Sequence, residues 1–255
     1  MFPKKVLDWI LFVPFVTAFI TVLILGELLQ RIALAISRNA HSWSLRVIAH
    51  GLIFSVRLFG TRIRIKFPEG FQLDENKPYI IVSNHQSTMD IVLLYYVFGK
   101  RVPRFIAKKE LGRFIPTVSF NLNHGHNVLI DRDNPRQSIK AIAEFGKLIS
   151  EYKYPGVIFP EGTRSRRGEL KEFQPAGVSA LLKYAPQADI IPVAVNNSWK
   201  LNPHDGVPGE SFRTLSITVG NVIKRTEGMS GQEVVKMCSD FCRGVLHTPG
   251  VGWGG

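Results

Sequence analysis

Two residues in this chain have the types and spacing for acid–base chemistry: His85 and Asp90, in the run Tyr79-Ile-Ile-Val-Ser-Asn-His-Gln-Ser-Thr-Met-Asp90. An imidazole held by a carboxylate keeps one tautomer and has its cationic form stabilised, as a general base requires. On one continuous helix, residues five apart stand about 140° round from each other and do not meet. If His85 lies on a loop and Asp90 inside the helix that follows, the chain turns between them and the two can bond. The same residues also have a purely structural reading. Ser87 or Thr88 would cap a helix, Asp90 would complement its dipole, and His85 would be incidental. In a chain with seven histidines the spacing alone arises easily by coincidence, so the surrounding elements must decide.

Those elements are favourable. Tyr79 to Val82 is a β-branched, apolar run after Pro78, suited to a strand buried on both faces. Polarity then flips at Ser83, and Asp90 to Phe98 reads as an apolar helix. A buried strand thus delivers Asn84 and His85 to its carboxyl end, where open α/β sheets bind ligands. Thr61 to Phe67 alternates Ile63, Ile65 and Phe67 with Arg62, Arg64 and Lys66, which predicts a half-exposed edge strand. Further strands are expected at 103–107, 127–131, 156–159, 190–195 and 215–219. Helices are expected at 113–123, from Pro135 to Tyr152 behind an Asn134 cap and a Gln137 capping box, and from Pro175 to Tyr184. Another, at 231–246, follows a Ser230/Glu233 capping box. Alternation of strands and helices predicts an α/β domain over 61–247, with a mixed, largely parallel sheet flanked by helices. Residues 248–255 are Gly-rich and read as a flexible tail.

The N-terminal part is different. Residues 9–26 carry no charge, and as a helix would reach about 27 Å, slightly short of a hydrocarbon core. No small-residue cleavage site follows, so the segment reads as a retained membrane helix, spanning or re-entrant. In 32–60, Arg46, His50 and Arg57 share one helical face, which fits a basic helix lying on a bilayer or packed on the domain. Residues 1–60 are therefore read as membrane-associated helices. The positive charges from Arg31 to Arg57 place the rest of the chain on the cytoplasmic side. Lys and Arg outnumber Asp and Glu by 32 to 20, for a net charge of +12. Such an excess suits an anionic membrane surface or a phosphorylated substrate. No zinc-ligand spacing or nucleic-acid signature accompanies it, so no metal site and no nucleic-acid partner is expected. Cys238 and Cys242, one helical turn apart, read as small apolar residues.

If the sheet is parallel, four polar segments emerge at one edge: Asn84-His85, Lys108-Lys109, Asp131-Arg132 and Glu161-Gly-Thr-Arg164. Arg132 and Arg164 can grip a phosphate through paired bonds, and a lysine adds a point charge. A solvated basic loop is the plainer reading of Glu161 to Ser165 taken alone.

Four blocks in order resemble the glycerolipid acyltransferases, most closely those acting on 1-acyl-glycerol-3-phosphate. They are Asn84-His-Gln-Ser-Thr-Met-Asp90; Lys109-Glu-Leu with Pro116 and Leu129-Ile-Asp-Arg132; Phe159-Pro-Glu-Gly-Thr-Arg-Ser165; and Ile191-Pro-Val193. The resemblance spans roughly residues 60–220. It implies that His85 is the general base and Asp90 its orienting partner. Acceptor binding would fall to Asn84, Lys108, Lys109, Arg132, Glu161, Gly162, Thr163 and Arg164. The hydroxyl of a lysophospholipid acceptor would attack acyl-CoA or acyl carrier protein directly, giving phosphatidate in phospholipid biosynthesis, with no metal or redox cofactor. Another phosphorylated or lysolipid acceptor, or a catalytically silent protein binding anionic lipid, remain as alternatives. The family pattern has glycine where this chain has Ser119 and His126. His124 and His126 read either as exposed loop residues or as a second acid/base pair.

Overall fold

A computed structural model describes residues 4–131, 133–201 and 206–247. Arg132 and the proposed tail at 248–255 lie outside the described residues. Seven strands form one sheet: β1 (Arg62–Lys66), β2 (Tyr79–Ser83), β3 (Arg104–Lys108), β4 (Val128–Ile130), β5 (Pro155–Ile158), β6 (Asp189–Asn196) and β7 (Thr214–Val219). Their order is β1-β7-β6-β2-β5-β3-β4. All pairings are parallel except β6 with β7. The expected mixed, largely parallel sheet is present, and β1 is its half-exposed edge.

Among the described residues, seven α-helices surround it: α1 (Lys4–Ile36), α2 (Arg38–Leu58), α3 (Met89–Val97), α4 (Val118–His124), α5 (Pro135–Tyr152), α6 (Pro175–Tyr184) and α7 (Gly231–His247). β2 sits at the centre, buried along its whole length. Its pleat sends Tyr79 and Ile81 into one core with Phe15, Ile53, Phe59 and Leu93 from α1, α2, the connection from α2 to β1, and α3. Ile80 and Val82 go into a second core with Phe145, Ile149, Leu181 and Cys238 from α5, α6 and α7. Each large aliphatic side chain so buried contributes about 1.5–3 kcal/mol. With both faces covered, alternation is lost from the sequence of β2, and the run reads as continuously apolar.

Local signals explain most helix ends. Asn134 Oδ1 accepts from Gln137 N at 3.1 Å, and Pro135 opens α5. Gln137 does not complete the expected box; its Oε1 reaches back to Asp131 N at 2.7 Å and ties α5 to β4. Ser230 and Glu233 do form the reciprocal pair before α7. The helix expected at 113–123 begins only at Val118, because Thr117 takes φ +67° after Pro116. Pro192 lies in β6 between two neighbours, where its missing N–H should break a ladder. The break is accommodated: β7 ends at Val219, and Gly220 N donates to Pro192 O at 2.8 Å. A Cβ at Gly220 would stand 2.7 Å from the Pro192 ring.

The N-terminal helices differ from expectation in extent. α1 continues through residues 32–36, and the break falls at Ser37, which caps α2 by accepting from Ala40 N. α1 is long and apolar enough to cross a membrane by length and composition. Both of its ends, however, are fastened to the α/β domain. Asp8 Oδ1 accepts from Ser211 N at 3.0 Å. At the other end, Glu27 Oε2 accepts from Thr117 N at 2.7 Å, and Gln30 Nε2 donates to Thr117 O at 3.1 Å. Gly26 permits this approach, since a Cβ there would meet Thr117 Oγ1 at 2.7 Å. Ile10, Val13, Ile20, Ile24, Leu28 and Ile32 on the remaining surface of α1 are exposed.

Candidate active site

β2 ends at Ser83, and α3 begins six residues later. In that interval the chain turns so that His85 Nδ1 lies 2.8 Å from Asp90 Oδ2. Asp90 is completely buried. The same Oδ2 accepts from Gln86 N at 2.6 Å and Ser87 N at 2.9 Å, and Oδ1 accepts from the Ser198 hydroxyl. The carboxylate therefore does two things at once: it closes the turn and it fixes the imidazole. One carboxylate oxygen thus serves two backbone N–H groups of the turn and the imidazole together. With Nδ1–H donated to Asp90, Nε2 carries the lone pair. The ring stacks on Phe159 at 4.1 Å between centroids.

Asn84 was expected to meet substrate, but the geometry assigns it another task. It is 1% exposed, its Nδ2 donates to Val195 O at 2.9 Å, and its Oδ1 accepts from Val195 N at 2.7 Å. Both halves of the amide are used to join the end of β2 to β6, so Asn84 positions its neighbour His85.

Glu161, Gly162, Thr163 and Arg164 follow β5, the strand next to β2. Glu161 Oε1 accepts from His85 N at 2.8 Å, and Ser165 N donates to His85 O at 2.7 Å. The loop thus clasps His85 by its backbone. Gly162 holds φ +68°, a conformation that glycine adopts without steric cost. Thr163 is exposed and Arg164 half-buried, with no acidic partner for the guanidinium among the described residues. Glu161 is buried, so it acts on the loop and on His85 rather than on an anionic acceptor.

Lys108 ends β3, Lys109 follows it, and both are exposed. Lys109 Nζ pairs with Asp131 Oδ2, across the ends of β3 and β4. With strands about 4.8 Å apart, the Arg164 loop is one spacing from β2, Lys108 two, and Asp131 three. Among the described residues, Lys108, Lys109 and Arg164 share the carboxyl edge, and of these three Arg164 lies on the strand next to the dyad.

Two residues that the sequence did not single out belong here. Phe159 supplies the face on which His85 lies. Ser198, 108 residues beyond Asp90, holds its second oxygen. Ser119 latches its own loop: Ile115 N donates to its Oγ, which donates to Leu111 O, each at 3.0 Å. His124 is exposed, as one of the two readings expected, whereas His126 is half-buried with φ +56°.

Burial pushes the Glu161 carboxyl up to about 7, against the opposing pull of the His85 and Lys171 N–H groups. A folded-state value above the unfolded 4.5 means that the folded chain holds the proton more tightly. Its stabilising contribution is full below pH 4.5 and is lost as pH rises through about 7. Glu161→Gln should remove that slope, so the wild-type-minus-variant unfolding free energy is expected to fall across this window, by at most about 3 kcal/mol. Urea unfolding in neutral detergent at several pH values reads it, and a pH-independent difference would contradict the assignment.

Fold and site together describe an α/β sheet carrying a histidine–carboxylate dyad at its carboxyl edge, with an arginine-bearing turn alongside. The family model described as Acyltransferase matches residues 62–196, more than half the chain, and the chain belongs to that family. It is 31% identical over 190 residues to the human 1-acyl-sn-glycerol-3-phosphate acyltransferase beta, covering 74% of this chain and 65% of that one. It is 27% identical over 180 residues to the 1-acyl-sn-glycerol-3-phosphate acyltransferase of Saccharomyces cerevisiae, covering 69% and 59%. The matches thus span between half and two thirds of the length of these curated relatives. The crystal structure of the 1-acyl-sn-glycerophosphate (LPA) acyltransferase PlsC from Thermotoga maritima superimposes with a TM-score of 0.71 at 22% identity. That match covers 95% of this chain and 96% of the other, and shows that the two share a fold.

Proposed function

We propose that the protein transfers an acyl group from a thioester donor, acyl-CoA or acyl carrier protein, to the free hydroxyl of 1-acyl-glycerol-3-phosphate, giving phosphatidate. One observation carries this reading. His85 is held through Nδ1 by buried Asp90, its Nε2 lacks a hydrogen-bond partner among the described residues, and the Arg164 turn lies one strand away. The acceptor hydroxyl donates to Nε2. Its oxygen bonds to the thioester carbonyl carbon as the proton passes to the imidazole, which Asp90 stabilises as a cation. The C–S bond then breaks and the departing sulfur takes the proton from His85. Direct transfer is supported by the cysteines: Cys238 and Cys242 are buried in α7, and burial pushes both thiols up. No metal or redox cofactor enters these steps.

Arg164 is the phosphate ligand in this reading. The acceptor's free hydroxyl and its phosphate are joined through only two carbons, which matches one strand spacing, about 4.8 Å, and not the two or three that separate β2 from Lys108 and Asp131. Lys108 then adds longer-range field at the mouth, Lys109 is tied to Asp131, and Arg132 adds to the positive charge of the chain. Gly162 and Thr163 shape the turn.

The membrane reading rests on α1 and α2. A helix fastened at both ends to one domain cannot leave that domain on one side of a bilayer and end on the other. α1 therefore lies along the membrane surface with its exposed apolar side in the lipid, and the positive residues from Arg31 to Arg57 keep the site cytoplasmic.

The test is transfer of labelled acyl groups by carbonate-washed membranes to lysophosphatidate, glycerol-3-phosphate and choline, ethanolamine and amino-acid lysolipids. Selective labelling of lysophosphatidate is expected, with Arg164→Ala raising KM for it by about 10- to 100-fold, the worth of a charged hydrogen bond. An unchanged KM would move the phosphate elsewhere, and labelling of another acceptor would keep the chemistry but change the substrate.

A further inference from the structure

A second group of basic side chains meets at the other end of the sheet. Arg104 opens β3, level with Gly156 of β5 and hence with Ile80 of β2. From strand geometry it stands roughly 15–20 Å from His85. It is 3% exposed. Its Nη2 donates to Ser42 Oγ at 3.1 Å, and its guanidinium carbon lies 4.4 Å from the Tyr154 ring centroid. Its Nε and Nη1 have no hydrogen-bond partner among the described residues.

Around it stand three histidines and a second arginine. His41, on the first turns of α2, is 1% exposed and its Nε2 is also unpartnered. His126 packs its ring 4.7 Å from Tyr152 and 5.7 Å from Tyr154, with Nδ1 buried and unpartnered. Arg38 Nη1 donates to His124 O at 2.6 Å, and the His124 ring lies 4.6 Å from Phe120, which contacts His41 on its other side. No carboxylate among the described residues bonds to any of these basic groups. Exposed Glu151 acts on His126 only at a distance and bonds to Tyr152.

Four buried side-chain nitrogens without partners are costly, about 1–3 kcal/mol each and more for the two on the charged guanidinium. Arg104 also works against protonation of His41, which burial first and then Arg104 and Arg38 push down to about 4. Buried cations without counter-charges are rare in native proteins unless an anion completes them. The donors come from three elements: the start of α2, where the helix dipole is positive, β3, and the turn before β4. Converging donors on separate elements suit a group with several oxygens better than a single carboxylate.

We propose that Arg104, His41, His126 and Ser42, with Arg38 at the rim, form a second anion site that binds a phosphate group, separate from the His85 site. The group can come from an anionic lipid headgroup or from a soluble phosphate. Beside it α1 ends in Ile36, which is 74% exposed. His126 occupies a left-handed position that glycine would fill without strain. Here a histidine stands in that position and contributes a donor to the site.

The experiment is thermal unfolding of the full chain in neutral detergent, in an Arg164→Ala background so that phosphate at the catalytic edge does not contribute. One arm titrates inorganic phosphate against chloride at matched ionic strength. The other compares mixed micelles carrying phosphatidate with micelles of phosphatidylcholine alone. A saturable rise in Tm of several degrees is expected, corresponding to ligand at many times its Kd. A response in both arms means that the phosphate group alone suffices; a response to phosphatidate only identifies the lipid headgroup as the source. Arg104→Gln should abolish the rise. Should that variant not fold, His126→Gly, which suits the backbone there, should weaken apparent binding at least 5-fold. No rise in either arm, or a rise that persists at full strength in these variants, would overturn the site.

Discussion

Replacing His85 with alanine is expected to lower kcat for acyl transfer by about 10³-fold, within the 10²–10⁴ range of positioned general bases. The imidazole is the sole side chain at the carboxyl end of β2 that has a carboxylate on one nitrogen and a free lone pair on the other among the described residues. Its backbone is held independently of its ring, by Glu161 on the N–H and Ser165 on the carbonyl. Alanine should therefore leave the turn intact, and membrane association and the unfolding midpoint should stay near wild type. Losing activity with folding unchanged is what separates a base from a structural histidine. Activity above a few per cent of wild type would sink the assignment.

Asp90 should separate two roles according to what replaces it. In Asp90→Asn, the amide oxygen can still accept from His85 Nδ1, Gln86 N and Ser87 N. The new NH2 can donate to Ser198 Oγ, whose hydroxyl then turns toward Gln86 Oε1, 3.4 Å away. The turn survives at a cost of about 1 kcal/mol, but the negative charge that balances the imidazolium is gone, so kcat should fall by about 10²-fold or more. Asp90→Ala removes the acceptor of two buried N–H groups and one hydroxyl as well. At roughly 1–3 kcal/mol for each orphaned group, it should destabilise the protein by about 3 kcal/mol or more. Activity and unfolding measured on both variants give the result. If both variants are equally stable, Asp90 does not close the turn; if Asp90→Asn is fully active, its charge plays no part in the reaction.

Much of this arrangement follows from local sequence. Tyr79 to Val82 can only be a doubly covered strand, since four successive apolar residues need cover on both faces of a pleat. Pro135 behind Asn134, and Ser230 with Glu233, start helices by satisfying backbone groups within four residues. The alternation from Thr61 to Phe67 places one face in water, and therefore at an edge. These are short-range effects, so the chain order of residues is enough to read them. The extent of α1 and the start of α4 are not legible in local sequence because both depend on contacts far along the chain: Thr117 is held in its strained conformation by Leu23, Glu27 and Gln30 of α1.

Residue order alone was enough to put His85 at the end of a buried strand and to let Asp90 face it across a turn. What each of those groups is free to do depends on residues distant in the chain, which the folded molecule brings together. It committed Asn84 to Val195, Glu161 to the backbone of His85 and Lys109 to Asp131, leaving Arg164 beside the dyad. It also brought Ser198 to Asp90 and set His126 beside Arg104. The physical reason is that hydrogen-bond capacity is finite and is allotted by distance in space. Partners more than a hundred residues apart decide whether a polar side chain is spent on the fold or remains available to a ligand.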